Sequence, residues 1–292
     1  MIMKKIFKNA IFSISTILLS ASVYCTAANT ESDDFIIALD PGHGGKSTGC
    51  VYTYDGKEVL EKDLNLKIAK YLKEKLEKNY KTKDGEKVVV YLTRENDEDC
   101  PDLEDRVKIP KGKGAKALIS LHNNAHADTS DKRRGCMVLV TNSKYNNLYD
   151  QEEALAKSII NQLTKLKISV PSDAVSESVS LKGGLLRRLS DDGSKYENGD
   201  TTDWYGIIRH GINYKLPSIL VEHAYLSVEE DYRDFLSSDE KLEKLASADA
   251  KGIAKHFNLV KNKPKKDKSK KDKSKEDKPK KDKSKKNKSE KD

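Results

Sequence analysis

Phe35-Ile36-Ile37-Ala38-Leu39-Asp40-Pro41-Gly42-His43-Gly44-Gly45 joins a short apolar run to a glycine-rich turn. A β-branched run of this length reads as a buried strand. Pro41-Gly42 and Gly44-Gly45 end it and open a loop. His43 therefore stands just beyond a strand end, among glycines that let backbone or a ligand come close. Clefts of α/β sheets form at such ends. Two further stretches share this plan: Ala117-Leu118-Ile119-Ser120-Leu121 leads into His122, and Ser218-Ile219-Leu220-Val221 leads into Glu222. Three strand ends, each delivering a metal-competent or acid/base side chain, suggest one shared site.

Outward from these runs, residues 87–92, 136–141 and 205–208 complete a set of six strand candidates. Leu64, Ile68, Leu72 and Leu76 recur every four residues and predict a helix over 62–80. A second amphipathic pattern covers 148–166, a third lies within 229–257, and a short helix is expected at 102–109. Strands alternating with helices argue an α/β layer fold with a mainly parallel sheet. Residues 169–204 are polar, carry Gly183-Gly184 and Asp191-Asp192-Gly193, and show no clear period. A stretch of that length is usually functional or mobile.

The two ends differ from this middle. Residues 1–28 have a basic start (Lys4, Lys5, Lys8), an apolar stretch and the small residues Thr26-Ala27-Ala28, the plan of a secretory signal peptide. The apolar stretch falls short of the roughly 20 residues of a spanning helix. Cys25 would suit a lipid-modified start, but the bulky Tyr24 precedes it. Residues 261–292 are almost wholly Lys, Asp, Ser, Asn, Pro and Glu, and are expected to be disordered because they have nothing to bury. This tail holds 17 Lys against 7 acidic residues, a net +10, and the first 28 residues carry +3. Of the chain's +8, that leaves −5 for residues 29–260, so the basic character belongs to the tail. A nucleic-acid partner loses its main support. For an exported chain, anionic cell-wall polymer is the fitting partner of residues 261–292; a merely solvating tail is the plainer alternative.

Cys50, Cys100 and Cys136 remain once the first segment is set aside. Their spacing fits no zinc-finger pattern, and an odd number leaves at least one thiol unpaired within a chain. One disulfide or none is open.

A catalytic zinc site takes three protein ligands and keeps a position for water. His43 and His122 supply two, and Glu61, just before the first predicted helix, is the best third. By spacing alone these are equally well hydrogen-bonded loop histidines and a helix N-terminal carboxylate. The full set of motifs shifts that balance. Residues 35–257 resemble the zinc-dependent N-acetylmuramoyl-L-alanine amidases of the type 3 family, which cut bacterial peptidoglycan. The likeness runs in order through Ile37–Gly45, Glu61-Lys62-Asp63-Leu64-Asn65-Leu66, Leu92-Thr93-Arg94, Asp105-Arg106, Ser120–Ala125 and Leu216–Glu222. It implies a twisted mixed sheet of about six strands flanked by helices. It also implies Zn²⁺ on His43, Glu61 and His122, and Glu222 as the catalytic carboxylate. His223 and Val228 depart from the family pattern, and 169–204 matches it least.

The expected activity is hydrolysis of the amide between N-acetylmuramic acid and L-alanine of the stem peptide, by a secreted, wall-associated monomer. Arg209 is a candidate for a peptide carboxylate, although an ordinary ion pair is its commoner role. His223 is expected to support the site rather than bind metal, since a fourth protein ligand would exclude water. His126 is rejected as a ligand partner of His122, because no helix is expected there. The competing classes are a zinc peptidase acting within stem peptides and a non-catalytic wall-binding protein. Loss of Glu222 or of a ligand would mark the latter, and neither is lost.

Overall fold

Alternation along the strands builds two apolar faces on one sheet. The computed structural model describes residues 34–127 and 133–262; the expected signal segment and residues 263–292 of the Lys-rich tail lie outside them. In chain order the elements are β1 (Phe35–Pro41), β2 (Val51–Tyr54), β3 (Lys57–Leu60), α1 (Glu61–Asn79), β4 (Tyr80–Lys81), β5 (Val88–Leu92), α2 (Leu103–Gly112), β6 (Leu118–Asn124) and β7 (Met137–Leu139). Then follow α3 (Tyr149–Leu163), β8 (Ala174–Val175), β9 (Val179–Lys182), β10 (Leu185–Arg188), α4 (Gly206–Tyr214), β11 (Ser218–Tyr225), α5 (Glu229–Asp231), α6 (Asp239–His256) and β12 (Val260–Lys261). A π-helical turn, Tyr232–Leu236, joins α5 to α6.

The main sheet has eight strands in the order β5-β1-β6-β11-β7-β10-β9-β8. The half from β5 to β11 is parallel, and antiparallel pairs enter at β11–β7, β10–β9 and β9–β8. Ile37, Leu39, Ile119, Leu121, Ile219 and Val221 point to one side and pack on α1, α3 and α6. Ala38, Leu118, Leu139 and Leu220 point to the other and pack on Val107 of α2 and on Ile207 and Ile208 of α4. The result is three layers, helix–sheet–helix. Within them Glu152 of α3 is fully buried and accepts from Thr141 N at 2.8 Å and Ser218 N at 3.1 Å, tying the end of β7 to the start of β11. Burial pushes its carboxyl up to about 8. Among the described residues, no helix is long and apolar enough to cross a membrane.

The α/β class and the mainly parallel sheet hold, but the sheet has eight strands rather than about six. The three strands of this sheet that were not expected, β8 to β10, lie in 169–204, where they are two to four residues long and too short to show a period. Conversely, 205–208 is not a strand. Ile207-Ile208 looks β-prone locally, but with Gly211 and Ile212 it forms the buried face of α4, and burial on that helical spacing wins. The folded part also extends further than expected: Lys261 pairs with Tyr80, and Asn262 N donates to Asn79 O at 2.8 Å.

Candidate active site

The parallel register of β6 and β11 sets Glu222 opposite His122. Both residues lie within their strands rather than at the ends, since β6 continues to Asn124 and β11 to Tyr225. Ile119, Leu121 and Val221 take the α1 side, so by alternation Ser120, His122 and Glu222 take the α2–α4 side. His43 arrives from the loop after β1. Its φ is +64°, a left-handed conformation uncommon outside glycine and stored most often at functional sites.

Glu61, the first residue of α1, draws these elements together. Its Oε2 lies 3.1 Å from His43 Nε2 and accepts from Cys50 N at 3.0 Å. Its Oε1 lies 2.9 Å from His122 Nδ1 and accepts from Asn123 N and Asn65 Nδ2, both at 3.2 Å. Burial opposes charge on Glu61, but the hydrogen bonds and charge of His122 and His43 outweigh it and hold the carboxyl far below the usual range. One ligand-capable atom from each of His43, Glu61 and His122 lies within 4.8 Å of the others. Two glycines keep that space. A Cβ on Gly42 would come within 2.1 Å of the His122 ring, and one on Gly49 within 2.4 Å of Glu61 Oε2.

The loop that carries His43 is clamped by two buried arginines. Arg94 donates from Nε to Pro41 O at 2.9 Å and from Nη2 to Gly42 O at 3.0 Å and Lys62 O at 2.8 Å. Arg106 donates from Nη2 to His43 O and from Nη1 to Asp40 Oδ1, each at 2.8 Å. Asp40 also accepts from Thr93 Oγ1 at 2.5 Å and Ser120 Oγ at 2.6 Å. Burial disfavours its charge, yet Arg106 and the hydroxyls of Ser120 and Thr93 hold its carboxyl below the usual range. Arg94 thus fixes the two residues before His43, and Arg106 fixes the carbonyl of His43 itself.

Glu222 differs from Glu61. Its Oε2 is sealed from solvent and has no hydrogen-bond partner among the described residues. Burial pushes its carboxyl well above the usual range, and the nearby Glu61 charge adds to the effect. Two carboxylates at one site are thus driven apart in acidity by their surroundings, one held charged and the other favouring the proton. Such splitting marks acid/base sites. Beside them a cavity of about 410 Å³ is lined by His43, His122, Leu103, Tyr205, Ile207 and Leu220.

The profile of the Amidase_3 family, N-acetylmuramoyl-L-alanine amidase, matches residues 37–255. The chain belongs to this family. It is 28% identical over 235 residues to N-acetylmuramoyl-L-alanine amidase AmiC of Escherichia coli O6:H1 (strain CFT073), covering 76% of this chain and 52% of that protein. The chain thus spans about half the length of that relative. With AmiA of Escherichia coli K12 it shares 26% identity over 242 residues, 78% of each protein. Among solved structures, amidase AmiC2 of Nostoc punctiforme is similar at 28% identity with a TM-score of 0.52, over 77% of this chain and 97% of that one. The matched region begins within β1 and ends within α6, so the family domain contains every element that feeds the His43–Glu61–His122 cluster.

Within this family domain, the remaining candidates separate. Arg209 is not in the cluster; its Nη1 donates to Asp203 O at 3.3 Å and lies 3.8 Å from Asp192 Oδ2. His126 is also elsewhere, with Nε2 at 2.8 Å from Arg133 O and its ring stacked on Tyr225. His223 points to the opposite face from Glu222 and is fully buried. Its Nδ1 donates to His122 O at 3.1 Å, and its Nε2 meets Asp249 Oδ2 of α6 at 2.8 Å. The register of β11 against β6 slips between Glu222 and Tyr225, so His223 braces the back of the site at an irregularity. All three described cysteines are free thiols. Sequence reasoning passed over Asn65 as a site residue. It lies four residues after Glu61 on one helix, a spacing that puts both on the same face and could have revealed it.

Proposed function

We propose that this chain is a zinc-dependent N-acetylmuramoyl-L-alanine amidase that hydrolyses the bond between the lactyl group of N-acetylmuramic acid and L-alanine of the stem peptide. The observation that carries this is the joint geometry of His43, Glu61 and His122 with Glu222 opposite His122 on the next strand. Two imidazoles and a carboxylate are a standard donor set for a catalytic zinc with an open position. Glycines at 42 and 49 leave that donor set uncrowded, so the residues present fit the ion. Zinc, when bound by these three residues, would supply Lewis-acid activation of water and of the scissile carbonyl.

The protein's own groups do the rest. Asn65, Asn123 N and Cys50 N orient the Glu61 carboxylate. Arg94 holds the carbonyls of Pro41 and Gly42, and Arg106 holds that of His43. Glu222 takes the proton of the attacking water and delivers it to the departing alanine amine, a task suited to a carboxyl of raised pKa. Arg209 is proposed to meet a peptide carboxylate from its place on α4. Mass spectrometry of peptidoglycan digested with the zinc-loaded protein tests the reading. The expected products are stem peptides with a free L-alanine amine and glycan with free lactyl carboxylates. Cuts within the stem peptide would replace it by a peptidase, and intact peptidoglycan by a binding protein.

We place the protein outside the cell, at the wall, after removal of residues 1–28. There the Lys-rich tail is proposed to hold anionic wall polymer. Truncation after Asn262 spares the β12–β4 pairing. It should leave hydrolysis of small soluble muropeptides unchanged and weaken retention on intact walls. That weakening should shrink with salt, because exposed charges are screened over about 8–10 Å at physiological ionic strength. Sedimentation with walls at two salt concentrations measures it; equal retention of both forms at low salt rules the adhesive role out.

A further inference from the structure

Trp204 is the only tryptophan of the chain, and it is 38% exposed. Its backbone is strapped to the end of β10: Trp204 N donates to Arg188 O at 2.9 Å, and the neighbouring Asp203 bridges Leu189. The Arg188 guanidinium lies over the indole, 3.7 Å from the ring centroid, which fixes the plane of the ring. The indole N–H has no hydrogen-bond partner among the described residues. An immobilised aromatic surface with a free donor loses little freedom on binding, so contact with it is cheap in entropy.

Position gives that surface a purpose. The next residue, Tyr205, lines the cavity that also holds His43 and His122. Burial pushes its phenol above the usual range, while Arg188 opposes this through its charge and a side-chain hydrogen bond. Leu103 of α2, 51% exposed, also lines the cavity, and its Cδ1 sits 2.7 Å from where a Cβ on Gly206 would be, so α2 and α4 meet there. Trp204 thus directly precedes a residue of the cavity that His43 and His122 line, and it is stacked on Arg188, whose side chain also hydrogen-bonds Tyr205.

We propose that Trp204, braced by Arg188, is the carbohydrate subsite of the cleft, stacking on the apolar face of an N-acetylated pyranose. This rests on the amidase reading, which makes the substrate a sugar joined through one lactyl link to the scissile amide. A sugar subsite must then adjoin the reacting bond, and Trp204 stands next to Tyr205 of that cavity. A pyranose offers C–H groups on its face and hydroxyls on its rim. Stacking buries the first against indole, leaves the second in water, and lets the indole N–H donate to a hydroxyl or acetamido oxygen.

The test uses the full-length zinc-loaded protein. Chitotetraose carries the N-acetylated pyranoses but has no peptide and no amide of the scissile type. Its titration should change the intrinsic fluorescence of the single tryptophan saturably. Trp204→Ala should raise KM for a glycan-bearing muropeptide about tenfold with a much smaller change in kcat, as loss of part of an indole's contact area predicts. The increase should be confined to that substrate when compared with a sugar-free N-lactyl peptide, and Trp204→Phe should recover part of it. Saturable fluorescence change in a protein that cleaves neither substrate supports the subsite while ending the amidase reading. No fluorescence response to chitotetraose, or an equal KM rise on both substrates, overturns the subsite and leaves the amidase reading intact.

Discussion

His122→Ala and His43→Ala should each strip the protein of zinc and abolish amide hydrolysis together. Each histidine offers one of the three ligand-capable atoms that come together with Glu61. Even residues that only orient a ligand typically cost about 10–100-fold in metal affinity when lost, so removing a ligand should exceed that. The fold should survive. His43 lies on a loop held through its backbone by Arg106, and His122 is a half-buried residue on a strand flanked by β1 and β11. Elemental analysis, circular dichroism and muropeptide turnover on the same preparations decide the matter. Either variant retaining stoichiometric zinc, or wild-type protein active after exhaustive chelation, would end the zinc mechanism.

Glu222→Gln should retain zinc and fold yet lose about 10²–10⁴-fold in turnover, the usual worth of general acid–base catalysis. The amide keeps the shape of the side chain but accepts no proton from water. Stability should not suffer greatly, because the buried site already disfavours a charge there. The substitution therefore separates chemistry from structure. Zinc content, melting temperature and turnover are the three measurements. Wild-type turnover with zinc retained would assign the base to another residue.

The site was more legible in the sequence than the sheet around it. The runs before His43, His122 and Glu222 announced three strands, because strands buried on both faces read as continuous apolar stretches; that they lie side by side is seen in the sheet order. The leucine spacing of α1 was equally plain. Short elements were not. The hairpin β2–β3 and strands β8 to β10 are two to four residues long, so no period accumulates, and each is stabilised by pairing with a neighbour rather than by its own composition. Ile207-Ile208 misled for the opposite reason, since two β-branched residues favour a strand until the face they must bury is known.

The sequence by itself determined the α/β class, the order of the main elements, the separation of charge between tail and folded part, and the residues that compose the candidate site. Only the tertiary structure decided what those residues touch. Thr93, Arg94 and Arg106 stood out as motif residues, but their work, holding Asp40 and the carbonyls of the His43 loop, depends on contacts spanning 52 to 66 positions. His223 is expected from the sequence to support the site, but the partner it does so with, Asp249 of α6, lies 26 residues on. Local patterns record which way a side chain faces, because helix and strand periods are set by the backbone. They do not record which distant element will lie on that face. That follows from how the layers close over a shared core, where burial and hydrogen-bond satisfaction across the whole fold select one arrangement.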